Sequence, residues 1–437
     1  MDSLLFRGGR VIDPATGTDE TADVLVKDGF VTEIGSGLMA GDAEAIDITG
    51  AVIAPGLVDL HTHLREPGRE DEETIATGSA AAALGGYTAV CAMPNTDPVC
   101  DNAAVAEKIA SQGLAVGMVE VVPAGAITKG LEGHQLAGIG EMSRSSARVR
   151  IFTDDGRGVQ DSRLLRRAME YMKAFEAVCA EHCDDELLSE GGQMNEGEFS
   201  SLLGLKGIPA AAEEIPLARD LALTRLTGVR FHALHVSTAG SVELIRQAKA
   251  QSLRVTAEVT PHHLVLTDAD LTSYDTNFKV NPPLRTSADV EALRAGLADG
   301  TIDAVATDHA PHSAEEKEAE FESAPPGMIG LETALAVVLT EMVDTDQLSL
   351  IQAIERLATN PAQIAGLKGQ GSLSSGAPAN LIVFDPAAEW VVDPSKFASF
   401  SRNSPWAGRK LKGKVLYTAF NGRLTVRDGN LLQEVAA

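Results

Sequence analysis

The chain has 437 residues, more than one core usually holds, so a large domain plus a smaller one is the natural expectation. Hydrophobic residues make up 44% and charged residues 22%, which excludes a disordered or fibrous chain. With 36 basic against 62 acidic residues the net charge is −26, which argues against nucleic acid or an anionic membrane surface as the main partner and means that any anionic ligand needs a locally basic pocket.

The opening MDSLLFRGGRVIDP has no long apolar stretch behind a basic start, so no secretory signal is expected. No apolar run approaches the ~20 residues needed to span a bilayer. Cys91, Cys100, Cys179 and Cys183 form no CxxC pair, and reduced thiols in a cytoplasm are the simplest expectation.

In chain order, Leu4 to Ile12, Ala22 to Val26 and Val31 to Ile34 are β-type runs, with Lys27-Asp28-Gly29 as a hairpin turn between the last two. Apolar runs then recur at Ala51–Leu60, Thr88–Met93, Ala115–Val122, Val149–Thr153, Ala177–Ala180, Val229–Val236, Arg254–Thr260 and Ile302–Thr307. Segments with helical spacing lie between them, such as Ser162–Phe175 (Leu164, Leu165, Ala168, Met169, Met172) and Ala239–Ala250. The charged stretch Ser313 to Ser323 reads equally as a mobile loop or a solvated helix. Strand texture returns at Asn380 to Phe384 and Lys414 to Phe420, with Asn421-Gly422 and Asp428-Gly429 as turns.

Eight strand-helix units fit an α/β (β/α)8 TIM-type barrel. A doubly wound open sheet needs fewer strands and usually a Gly-rich first turn, which is missing. Residues 55–369 are therefore expected to form the barrel. Residues 1–54 and 370–437 are expected to form one small β domain from both ends of the chain.

Ligand-type residues cluster where these runs end. His61-Thr62-His63 follows Val52 to Leu60, and residues i and i+2 of a strand share a face, so both imidazoles can converge on one ion. Later runs lead into Asp154-Asp155, His182, His235 and Asp308. Alternation puts Asp155, not Asp154, on the face of Val149, Ile151 and Thr153. Strand C-termini of such a barrel open onto the face where active sites are built. Four histidines and two aspartates there supply enough ligands for two zinc ions.

Pro55-Gly-Leu-Val-Asp-Leu-His61-Thr-His63 resembles the opening metal motif of the amidohydrolase superfamily, and His61-Thr-His-Leu-Arg-Glu-Pro-Gly68 resembles its bacterial dihydroorotase form. Matching segments follow at Met93-Pro-Asn95, Phe152-Thr-Asp-Asp-Gly156, Glu181-His-Cys183, His235-Val-Ser-Thr238, Glu258-Val-Thr-Pro-His-His263, Asn281-Pro-Pro-Leu-Arg285 and Ala306-Thr-Asp-His-Ala-Pro-His312. The resemblance covers nearly the whole chain. It implies that the terminal β pieces form a small β-sandwich domain.

By that resemblance His61, His63 and Asp308 bind one Zn2+, His182 and His235 a second, and Asp155 bridges them, with Asp154 the competing bridge. Some relatives bridge with a carboxylated lysine, but Arg148 to Gly156 contains no lysine. Two such ions polarise an amide carbonyl and help water ionise, and Asp308 can carry the proton as the catalytic acid-base group. The substrate implied is (S)-dihydroorotate, hydrolysed reversibly to N-carbamoyl-L-aspartate in pyrimidine (UMP) biosynthesis.

Arg65 offers a planar fork for its carboxylate, unless it only pairs with Glu66 or Asp71 at the surface. Asn95, Asn281, His312 and the backbone of Pro326-Gly327 match further substrate contacts, as does His63. Relatives often carry Pro-Phe-Gly where this chain has Pro325-Pro326-Gly327. His232, His262, His263 and His309 are expected to support rather than bind metal, and Cys179 and Cys183 to pack.

Allantoinases typically lack the arginine, and dihydropyrimidinases bridge with lysine, so both are less suited to this sequence. A non-catalytic scaffold of aspartate transcarbamoylase would have lost metal ligands, whereas all six positions are filled here. The resemblance leaves room for a homo-oligomer and for association with aspartate transcarbamoylase.

Overall fold

A computed structural model describes residues 3–433. Eight short parallel strands close a barrel among the described residues: Leu57–Thr62, Tyr87–Ala92, Glu120–Pro123, Ile151–Phe152, Val178–Glu181, Arg230–Ala233, Val255–Val259 and Ala304–Val305. Two seams complete the circle. Gly125 pairs with Phe152 between the third and fourth strands, and Thr62 pairs with His309 between the first and last.

The first barrel strand is buried along its whole length. A strand covered on both faces cannot alternate in polarity, which is why its sequence reads as one apolar run. Helices cover the outside, each for local reasons. Thr74 caps Ile75–Leu84 with a capping box, and Asp161 caps Ser162–Met172 by accepting from the Arg163 and Leu164 amides. That second helix buries Leu165, Ala168, Met169 and Met172, while Leu164 is only partly covered. Truncating Met169 to alanine there should cost about 2–5 kcal/mol of stability.

Both chain ends meet in one sheet. Its order runs Asn430–Leu431, Arg423–Arg427, Lys410–Phe420, Leu381–Val391, Val52–Pro55, Leu4–Asp13, Thr18–Lys27 and Phe30–Gly35, with Glu44–Asp47 also paired to Leu4–Asp13. Val52–Pro55 is the seam, parallel to Leu4–Asp13 on one side and antiparallel to Leu381–Val391 on the other. One set of side chains (Leu4, Phe6, Val24, Val26, Ile53, Leu381, Val383) forms a core of its own. The alternate set (Ile12, Val52, Ala54, Ile382, Phe384) joins the core of the barrel.

Two sequence expectations change in detail. The run Ala51–Leu60 is two strands in two sheets, divided at Gly56, where an added Cβ would lie 2.2 Å from the Thr88 side chain. The run Ala115–Val122 begins inside the helix Ala103–Val116, and only Glu120–Pro123 is strand. The stretch Ser313 to Ser323 contains a short helix, Ala314–Lys317, whose Lys317 is buried. No helix among the described residues is long and apolar enough to cross a membrane.

Candidate metal centre and the pocket beside it

The first barrel strand is anchored to the last through Asp59, whose Oδ1 accepts from the His61 amide (3.0 Å) and the Thr307 amide (3.1 Å). Burial pushes this carboxyl up to about 7. His61 and His63 therefore leave the strand beside Asp308, and all three converge. His61 Nε2 lies 3.4 Å from Asp155 Oδ1 and 3.5 Å from Asp308 Oδ1, and His63 Nε2 lies 3.1 Å from Asp308 Oδ1 and 3.5 Å from Asp155 Oδ2. On the other side of Asp155, His182 Nδ1 and His235 Nε2 are each 3.7 Å from its Oδ1. The six side chains gathered here are the six that the sequence singled out.

Asp154 faces elsewhere. Its Oδ1 accepts from the Ile127 and Thr128 amides at 2.8 and 2.9 Å, and it also bonds the Thr128 hydroxyl. Of the two neighbours, only Asp155 lies among the histidines.

Several buried atoms of the cluster lack hydrogen-bond partners: His61 Nε2, Asp155 Oδ1 and His235 Nδ1. Such groups are rare in folded proteins, and here two of them point at one another across gaps too long for a hydrogen bond. His61, His63 and Asp155 offer ligand atoms within 4.8 Å of one another, and so do Asp155, His182 and His235. The ring nitrogens of His182 and His235 also face each other at 2.9 Å. A mixed nitrogen and carboxylate set of this kind fits one or two borderline divalent cations such as zinc, with Asp155 common to both halves.

The charge states fit as well. Burial would raise Asp155, but the charge of His61 and the nearness of His235 hold it well below the usual carboxylate range. Burial, helped by His235, pushes His182 down to about 3, and burial also lowers His63. Ionised carboxylates beside neutral imidazoles are what a cation requires. His61 differs: burial alone would lower it, but Asp155 and Asp308 raise it well above its ordinary value. A proton there meets part of the demand for positive charge.

The clustered side chains have supports, and Glu258 is one that the sequence did not single out. Glu258 Oε1 takes His61 Nδ1 at 3.0 Å and its Oε2 takes His232 Nε2 at 2.9 Å, fixing which nitrogen His61 turns inward. Asn95 Oδ1 does the same for His63 Nδ1 at 2.9 Å. His263 bonds the Pro282 carbonyl and His309 bonds Glu73, so both support the mouth from behind. His262 Nε2 is buried without a partner, and burial holds this ring down at about 4. His235 and Asp308 also carry positive φ (28° and 48°), a backbone region that non-glycine residues seldom occupy and that clusters at functional sites.

Beside this centre lies the pocket of a buried guanidinium whose charge is matched by acidic neighbours. Arg65, at φ 60°, is largely buried, and its partner is neither Glu66 nor Asp71. Its Nε lies 3.0 Å from the buried Glu72 and donates to the Pro311 carbonyl at 3.1 Å, and its Nη2 lies 3.4 Å from His312 Nε2. Glu66 instead accepts from the Ile75 amide, and Asp71 reaches only Arg69, at 3.7 Å. Asn281 Nδ2 lies 3.4 Å from His182 Nε2.

Pro326 and Gly327 border this pocket with their polar groups engaged. The Pro326 carbonyl faces His312 Nε2 at 3.0 Å, the Gly327 amide donates to Lys279, and the Gly327 carbonyl accepts from Asn403 and Lys317. Gly327 has φ 143°, and an added Cβ would come within 2.8 Å of His312 Nε2. Cys179 and Cys183 are buried and unbridged, as are Cys91 and Cys100.

Residues 50–241 match the family model described as dihydro-orotase-like. The chain is 51% identical over 425 residues to the dihydroorotase of Pelotomaculum thermopropionicum, covering 97% of this chain and 99% of the relative. It is 52% identical over 432 residues to that of Streptomyces coelicolor, covering 99% and 100%. Among solved structures, the L-hydantoinase (dihydropyrimidinase) of Arthrobacter aurescens superposes with a TM-score of 0.88 at 27% identity, over 99% of this chain and 98% of that one. The dihydropyrimidinase of Brevibacillus agri shares the fold, with a TM-score of 0.86 at 23% identity over 99% and 97%.

Proposed function

The chain belongs to the dihydroorotase family, and on that premise we propose that it hydrolyses the ring amide of (S)-dihydroorotate reversibly to N-carbamoyl-L-aspartate, using the six-residue cluster as a zinc centre. The observation that carries this reading is the convergence of His61, His63, Asp155, His182, His235 and Asp308, with buried ligand atoms left unpaired, beside the buried Arg65. His61, His63 and Asp308 would hold one zinc ion, His182 and His235 a second, with Asp155 between them. When bound, the ions supply Lewis acidity toward the amide carbonyl and let water ionise near neutrality.

The rest falls to the chain's own side chains. Asp308 accepts the proton of the attacking water at its carboxylate and delivers it to the departing ring nitrogen. Burial would raise this carboxyl, but His61 and the bond from His63 hold it below its ordinary value, so it starts ionised and ready to accept. The bond between carbonyl carbon and ring nitrogen breaks, the carbon becomes a carboxylate whose remaining proton leaves to solvent, and the nitrogen becomes the NH2 of the carbamoyl group.

Arg65 takes the carboxylate that the substrate already carries, through guanidinium nitrogens not engaged by Pro311. Asn95, with its Oδ1 turned to His63, keeps its amide donors for the ring. Asn281, His312 and the backbone of Pro326 and Gly327 line the remaining sides. This arrangement also answers the charge problem of an acidic protein with an anionic substrate, because the attraction is local.

We place the enzyme in the cytoplasm on its unbridged thiols, and leave self-association and aspartate transcarbamoylase as partners to test by sedimentation. The deciding experiment is elemental analysis of the purified chain alongside dihydroorotate and hydantoin assays. Zinc with dihydroorotate turnover is expected. Full activity in a metal-free protein, or a preference for hydantoin, would overturn the reading.

A further inference from the structure

Glu72 sits in the loop between the first barrel strand and the helix Ile75–Leu84, fully buried, seven residues beyond Arg65. Its Oε1 accepts from His312 Nδ1 at 3.1 Å and from Arg69 Nη2 at 2.8 Å. Its Oε2 lies 3.0 Å from Arg65 Nε, yet has no hydrogen-bond partner, because the N–H of that nitrogen is directed at the Pro311 carbonyl. An outer carboxylate, Glu316, meets the same Arg69 at 2.7 Å and His312 at 3.3 Å. Two arginines already supply positive charge here, so these acids and the imidazole form a scaffold rather than a cation site.

We propose that Glu72 is a positioning residue that holds Arg65 and His312 in the arrangement that receives the substrate's carboxylate, an inference that rests on the role given to Arg65 above. A buried guanidinium moves toward the nearest uncompensated negative charge. For Arg65 the next buried carboxylate is Asp308, whose charge also favours the ionised guanidinium, after that of Glu72. Glu72 stands at the Nε edge, keeps Arg65 from collapsing onto Asp308, and leaves the terminal nitrogens facing the mouth. Through its other oxygen it orients the His312 ring, whose Nε2 reaches both Arg65 and the Pro326 carbonyl. One carboxylate thus sets two recognition groups that arrive from residues 65 and 312, at opposite ends of the barrel sequence.

The test is a double-mutant cycle with Arg65, read as KM and kcat for dihydroorotate in the zinc-loaded enzyme. Glu72→Gln keeps the shape and removes the charge, and should raise KM about tenfold or more while changing kcat far less. In an Arg65→Ala background the same substitution should add less than about twofold, because the residue it acts through is gone. Glu72→Asp keeps the charge on a shorter arm and should recover part of the loss. This second variant also carries the test if Glu72→Gln does not fold. Effects of Glu72→Gln and Arg65→Ala that multiply independently, or an unchanged KM in both Glu72 variants, would overturn the proposal alone. A silent Arg65→Ala would overturn the reading of Arg65 and this inference with it.

Discussion

The metal cluster and the Arg65 pocket are adjacent, but they handle buried charge in opposite ways. In the cluster, His61 Nε2, Asp155 Oδ1 and His235 Nδ1 are left without hydrogen bonds. In the pocket, Arg65, Arg69, His312, Glu72 and Glu316 balance one another's charge, so that even Glu72 Oε2, which has no hydrogen bond, lies 3.0 Å from the Arg65 guanidinium, and the backbone of Pro326 and Gly327 is occupied. The difference teaches how long each guest stays. A centre meant for a resident cation can leave ligand atoms unpaired, because the cation is there throughout the enzyme's working life. A pocket that empties at every turnover must balance its own charge in between, since an unpaired buried charge is costly.

By that contrast, disturbing the cluster should be catastrophic and disturbing the pocket graded. The largest effect is expected from Asp155→Ala, which removes the carboxylate shared by both halves of the cluster. Metal content and activity should fall together, as they should with a strong chelator, and restored zinc should rescue only the chelated parent. An Asp155→Ala protein that kept full metal content would break the comparison at its strongest point.

Asp308→Asn comes next. It retains one ligand oxygen but cannot take a proton, so turnover should drop by ~10²–10⁴-fold while metal falls only modestly. Near-parental turnover with metal retained would move proton transfer to another group, His312 being the next to examine.

Arg65→Ala should lose roughly 1.5–3 kcal/mol in kcat/KM for dihydroorotate, with metal content unchanged. Arg65→Lys should recover only part, because an ammonium cannot reproduce the planar fork. Metal loss in Arg65→Ala would show that pocket and cluster are one unit after all.

The smallest effect concerns stability. Lys317 holds the Pro325 and Gly327 carbonyls at 3.0 Å each, and burial, with Lys279 nearby, brings its ammonium from 10.5 down to about 7. Between those values the unfolded chain binds the proton that the folded chain has released, so this group makes stability rise as pH rises from about 7 toward 10.5. Lys279, also lowered by burial, adds in the same direction. Lys317→Met should flatten the slope of unfolding midpoint against pH across that window. An unchanged slope would show that the lysine is not held this way in solution.

The sequence revealed the barrel because its strands are buried on both faces and separated by amphipathic helices. It pointed to the six clustered side chains because i and i+2 on a strand share a face and strand ends share a mouth. What it hid was partnership across distance. His61 and Glu258 are separated by 197 positions, and nothing local in either segment marks the pair. Glu72 was hidden by proximity instead, since Glu66 and Asp71 looked equally able to neutralise Arg65. Only the turn of the chain after His63 shows that one carboxylate faces inward. Gly56 was hidden for a third reason: both strands it separates are covered on both sides, so their residues give no change of polarity to mark the crossing.

Asn403 gives the site an order of assembly. Its amide bonds the Ala310 and Gly327 carbonyls at 2.9 and 3.1 Å, and its Oδ1 lies 3.3 Å from the His312 amide, fixing three points of the recognition wall. The last of the six cluster residues, Asp308, leaves the ribosome well before Asn403, which lies 93 positions beyond Ala310. As the chain is made, all six residues of the proposed metal centre are therefore present while the wall that carries His312 and Gly327 still lacks its fastening. On the proposed reading, a newly made chain carries its whole set of candidate ligands before the loop that fastens the neighbouring wall exists.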